Sequence, residues 1–158
     1  MISHQLKAQL QLELTEIAIC SGNIQKYLEK LQAATDDEER EILTKAIGLD
    51  LHGFYTGAER IFERIARKID RTSPPDSARW HKHLLQQMAA KIPNVREPII
   101  SESNFANFDE LRGFRHVMRS NYAHKLDTKK VVSLASKIPS CYQALKQDLE
   151  QLEIFTSD

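Results

Sequence analysis

The sequence predicts an all-α protein, an antiparallel bundle of four to five helices forming one domain over residues 1–158. Apolar residues recur at helical spacing along most of the chain, and no stretch alternates with the two-residue period of a strand. The densest breaker, RTSPPDS ending at Ser77, falls between two helical stretches. Long amphipathic helices joined by mostly modest loops bury their apolar stripes best against one another.

The first helix is predicted from near Ser3 to about Gln32, with Leu10, Leu14, Ile17, Ile24, Leu28 and Leu31 on one stripe and a bend at Ser21-Gly22. Thr35 followed by Glu38 has the form of a capping box, which starts the second helix. Phe54, Ala58, Ile61, Phe62, Ile65, Ala66 and Ile69 carry that helix to about Asp70, while Gly48, Gly53 and Gly57 weaken its middle. After the paired prolines a third helix spans about Ala78 to Lys91. Ile92 to Ala106 then reads as a long connection, of a length that is often functional. Asn107, with Glu110 three residues on, is expected to head a fourth helix reaching about Lys125, and Asp127 caps the next. The last helix, about Thr128 to Ile154, buries Val131, Leu134, Ile138, Leu145, Leu149 and Leu152, with Pro139 kinking or splitting it.

Composition narrows the function classes. Lys plus Arg and Asp plus Glu each total 22, so the formal net charge is zero. A protein that coats nucleic acid by bulk charge is excluded, and any RNA contact has to be local. The N-terminal MISHQLKAQLQLELTEIAI mixes apolar residues with Gln, Glu and Lys and so reads as neither a signal peptide nor a membrane span. The expectation is a cytoplasmic protein with no membrane contact. Cys20 and Cys141 are far apart and outside any metal-ligand spacing, which fits reduced, packed thiols. Trp80, His81 and His83 lack a further ligand at the next turn, so exposed polar residues beside a packing Trp are expected there rather than a metal site. His4 and His52 carry no readable signal, and no phosphate loop, nucleophile elbow or zinc spacing occurs.

The stretch with chemical content is DELRGFRHVMRSNYAHKLD, Asp109 to Asp127. From Leu111 to Lys130 the chain carries Arg112, Arg115, Arg119, Lys125, Lys129 and Lys130 against the single acid Asp127. At about 100° per residue, Arg112, Arg115, His116, Arg119 and Tyr122 gather on roughly one third of a helix surface. Leu111, Phe114, Val117 and Met118 lie on the opposite arc. Guanidinium forks bind phosphate oxygens and imidazole moves protons near neutral pH, so this face suits a phosphodiester. A plainer packing fits the same residues, with the arginines paired to Glu59 and Glu63 and Tyr122 held between helices. Tyr55 and Glu59, one turn apart, either line the cleft and orient an arginine or make an ordinary bundle contact.

Three blocks, LDLHGFYTGAERIFERIA at Leu49 to Ala66, WHKHLLQQMAAKIPNVREPIIS at Trp80 to Ser101 and FRHVMRSNY at Phe114 to Tyr122, together resemble the HepT-like ribonuclease family of the HEPN superfamily. The resemblance runs in order over nearly the whole chain. The superfamily's best-known motif is Arg, four to six residues, His, any residue, Tyr. Arg115 and Tyr122 are spaced accordingly, but Ser120 stands at the histidine position. The local form is similar to an RHxxRxxY variant, in which His116 follows the first arginine. Moving an imidazole from position 120 to 116 shifts it about 6 Å along a helix. His124 offers a partial match after Arg119, but Leu126 replaces the tyrosine.

The resemblance implies a HEPN-like bundle, a homodimer that brings two motifs into one cleft, and a toxin-type endoribonuclease needing neither metal nor cofactor. It implies a cognate minimal nucleotidyltransferase as partner and RNA as target, with tRNA a candidate. Arg115, His116, Arg119 and Tyr122 would be the catalytic set, Arg112 and Lys125 would bind RNA, and Tyr122 would be the adenylate acceptor. The alternative is a non-catalytic helical adaptor presenting a substrate or tyrosine to the nucleotidyltransferase, which Ser120 favours.

Overall fold

An apolar stripe underlies each helix in the computed structural model, which describes residues 2–155 and the side chains up to residue 152, and side-chain caps open the first, second and fourth. Ser3 accepts the Leu6 amide at 3.1 Å and opens α1 (His4–Ala33), which passes Ser21 and Gly22 without a break. The second helix begins one residue later than the Thr35 cap predicted, because the Asp36 carboxylate takes the Glu39 amide at 2.9 Å. A carboxylate is the better cap here, since its charge also complements the helix N-terminus.

From that cap α2 (Asp37–Ile65) runs through the centre of the bundle and ends in a π-helical turn, Ala66–Asp70. Ile47, Leu51, Phe54, Tyr55, Ala58, Ile61, Phe62 and Ile65 are wholly buried along it. Its glycines permit close approach rather than weakening it: a Cβ at Gly57 would collide with the Ile17 side chain of α1. The register is antiparallel, with Cys20 beside Gly53, Ile17 beside Gly57, and Glu13 bonded to Arg64.

Arg71, in the left-handed region at φ 57°, turns the chain out of the π turn into the proline segment. Helix α3 (Trp80–Ala89) is shorter than predicted at both ends and buries Leu84, Leu85 and Met88. The connection that follows is anchored. Arg96, wholly buried, meets Asp70 through Nε at 2.6 Å and Nη2 at 2.7 Å, and donates to the carbonyls of Gln87, Ala90 and Glu97. The Ile99 and Ile100 amides both bond to the Met88 carbonyl, which leaves those two side chains in the core.

The fourth helix starts at Ser101, not Asn107. Ser101 accepts the Asn104 amide, and Asn104, itself buried, reaches the Cys141 carbonyl at 3.3 Å. Helix α4 (Glu102–Ser120) also ends earlier than predicted: Asn121 is extended, and both its amide and its side chain return to the Val117 carbonyl. Such local side-chain bonding competes with helix continuation. A short 3-10 turn, Ala123–Lys125, leads to α5 (Thr128–Phe155), which passes through Pro139 unsplit. All six apolar residues expected in its core are buried. No helix of the described residues is long and apolar enough to cross a membrane.

Candidate active site

Helix α4 lays Phe108, Leu111 and Phe114 into the core against α2, with Phe108 stacked on Phe54 and edge-on to Phe62. Phe114 and Met118 come within 3.6 Å of where a Cβ on Gly48 would stand, so the missing side chain lets α4 lie close to α2. Burying that stripe leaves Arg115 half-buried at the helix edge and His116 and Arg119 exposed beside it. Val117, expected on the apolar arc, is 40% exposed.

The structure separates the predicted site residues. Tyr122 lies beyond the end of α4 and is 71% exposed, so it neither shares the arginine face nor packs between helices. Its ring stacks on His124 at 5.6 Å, and the Lys125 ammonium lies 5.9 Å from its centre. Arg112 is engaged by Asp109, one turn back, at 2.8 and 2.9 Å. His116 is exposed and has no hydrogen-bond or ring partner among the described residues. Among the described residues no motif arginine forms an ion pair with Glu59 or Glu63; Glu59 is taken by another group.

That group is His81, which sequence reasoning set aside. The buried Glu59 accepts the Tyr55 hydroxyl at 2.8 Å, and the same oxygen, Oε2, meets His81 Nδ1 at 2.7 Å. The other ring nitrogen of His81, Nε2, faces Arg115 Nη1 at 3.5 Å. Residues from α2, α3 and α4 thus form one series, Tyr55, Glu59, His81 and Arg115. Glu59 reaches an arginine only through the imidazole between them. A carboxylate only accepts, which places hydrogen on Nδ1 and turns the Nε2 lone pair toward the guanidinium. Burial and the Glu59 charge push the Tyr55 hydroxyl far above the usual tyrosine range, so it stays a donor.

A second histidine was also missed. His52 on α2 is held below the ordinary histidine value of 6.5, first by burial and then by the charges of Arg115 and Arg119. Both guanidiniums therefore lie near enough for their charge to be felt at His52. Arg115 Nε is buried without a partner, so this guanidinium is not saturated by the fold. Neither His52 nor His81 lies at a local spacing from the motif, and only the packing of three helices brings them to it.

Residues 46–156, more than two-thirds of the chain, match the family model described as HepT-like protein. The chain belongs to the HepT-like family. The matched span of the HepT-like model contains every member of the Tyr55–Glu59–His81–Arg115 series together with His52, His116, Arg119 and Tyr122. No curated protein and no solved structure matches the chain. Among the described residues no group of three or more His, Cys, Asp or Glu side chains is placed to hold a metal ion.

Proposed function

We propose that this HepT-like protein is a toxin-type endoribonuclease that works as a homodimer and is restrained by a cognate minimal nucleotidyltransferase. The carrying observation is the unsaturated Arg115, with Arg119 near it, at an edge where imidazoles also gather. Arg115 and Arg119 hold the non-bridging oxygens of an RNA phosphodiester and stabilise the charge of the pentacoordinate phosphate. Arg112, once drawn from Asp109, and Lys125 bind flanking phosphates. Exposed ion pairs contribute only about 0.2–1 kcal/mol, so the Asp109 contact is easily exchanged. His116 contacts the RNA from the exposed side. Exposed apolar side chains at Leu49 on α2 and Val117 on α4 support pairing of two copies near the motif helix.

Expression without the partner tests the reading. Growth stops with wild type and continues with Arg115→Ala, whereas Lys91→Ala remains toxic. Equal toxicity of wild type and Arg115→Ala contradicts it. A monomer by light scattering at micromolar concentration removes the shared cleft.

The exposure of Tyr122 suits its modification by the nucleotidyltransferase: its phenol oxygen attacks the α-phosphate of ATP and pyrophosphate leaves. The adenylate adds negative charge near the basic residues and competes with RNA. Mass spectrometry after incubation with partner and ATP finds adenylate on wild type and none on Tyr122→Phe. The adaptor alternative draws on two observations, Ser120 at the usual histidine position and the separation of Tyr122 from the arginine face. A folded dimer that is adenylated but never toxic decides for it.

A further inference from the structure

We propose that His81 is the imidazole that moves the proton in RNA cleavage, with Glu59 as its positioning residue. The proposal rests on the ribonuclease reading above and supplies, from α3, the group that α4 lacks at Ser120.

Three requirements meet at His81. An acid-base imidazole has to be oriented, and the Glu59 carboxylate fixes its ring through Nδ1 at 2.7 Å, with the Tyr55 hydroxyl steadying that carboxylate at 2.8 Å. It has to be reachable, and the His81 side chain is 31% exposed. It has to stand beside the phosphate, and Nε2 is 3.5 Å from Arg115 Nη1, so a phosphate held by Arg115 lies within its reach.

Three other histidines, His116, His52 and His124, suit the role less well. His116 is exposed and has no partner among the described residues to orient its ring. His52 feels the charges of Arg115 and Arg119, which oppose the positive charge a proton would bring, whereas at His81 the Glu59 carboxylate offsets Arg115. His124 is stacked on Tyr122, outside the arginine edge.

The step balances without a further reactant. Nε2 of His81 takes the proton of the ribose 2′-hydroxyl while the 2′-oxygen bonds to phosphorus. The bond from phosphorus to the 5′-oxygen breaks, and the imidazolium returns the proton to that leaving oxygen. The products are a 2′,3′-cyclic phosphate and a 5′-hydroxyl end. Glu59 stabilises the imidazolium between the two transfers, and Arg115 the charge on the phosphate.

The test uses the full-length dimer and single-stranded RNA of mixed sequence. His81→Asn keeps a donor toward Glu59 but has no Nε2, and its cleavage rate falls at least about 100-fold. His116→Ala loses less, and Lys91→Ala is unchanged. Added imidazole restores part of the activity of His81→Gly, a recovery that a purely structural histidine would not give. Full cleavage by folded His81→Asn overturns the assignment, as does a His81→Gly variant that imidazole never rescues. Nitrogen-15 NMR of the wild type covers the case of unfolded variants. The Nε2 resonance of His81 moves on adding uridine 3′-monophosphate, and a resonance that stays put is a refutation. Wild type that leaves RNA intact removes the ribonuclease reading itself, whereas cleavage by wild type and His81→Asn alike removes only His81.

Discussion

Arg96 and Arg115 sit in the same bundle and face opposite fates. Arg96 is sealed from solvent, and each of its five N–H donors has an acceptor: two on Asp70 and three on backbone carbonyls. Arg115 is half-buried, its side-chain hydrogen-bond partner among the described residues is an imidazole at 3.5 Å, and its Nε is buried without a partner. A guanidinium whose donors are all used holds a loop in place. One that the fold leaves unsaturated, with a second arginine and histidines beside it, can bind an anion.

Removing Arg96 should give the largest effect on the fold. Arg96→Met removes the charge partner of the buried Asp70 carboxylate, leaving it the neutral Gln87 amide at 2.9 Å, and should lower unfolding free energy by about 3–5 kcal/mol in urea titrations. A loss below about 1 kcal/mol would show that the pair is not what pins residues 91–100. Arg115→Met sharpens the contrast from the other side. Its stability should change by less than about 1 kcal/mol, because no saturated network is broken. RNA cleavage should fall about 100- to 1000-fold, the usual cost of one charge-stabilising donor. A large stability loss in Arg115→Met would make the two arginines alike.

The smallest effect is read at His52. Its folded value lies below 6.5, so the contribution of this ring to stability is complete well above that pH, where it is neutral whether folded or not. As pH falls below 6.5 the unfolded chain takes the proton first, and stability declines until the folded value is passed. Arg115→Gln and Arg119→Gln each raise the His52 titration midpoint in proton NMR, and added RNA does the same by neutralising the two arginines. A midpoint indifferent to both substitutions would mean that burial alone sets it.

Much of this contrast was legible in the sequence, and the missing part has one cause. The 3.6-residue period placed all five helices, because an apolar stripe is a local pattern. Helix ends were less legible. Asn107 and Ser101 offer the same capping chemistry, and the choice was made by Asn104 reaching Cys141, 37 residues away. Arg115 and Arg119 on α4, and the Tyr55–Glu59 pair on α2, showed themselves by their spacing along a helix. His81 did not, since its partners lie 22 and 34 residues off on other helices. Tyr122 was misplaced because extending α4 to Lys125 ignored the bonds that Asn121 makes back to Val117.

End-group analysis of RNA incubated with the purified protein tests most directly whether Arg115 anchors an RNA-cleaving site. Wild type should release fragments ending in 2′,3′-cyclic phosphate, while Arg115→Ala, melting at the wild-type temperature, should leave the RNA intact. Intact RNA with folded wild type, or the same fragments at the same rate from both proteins, would contradict it.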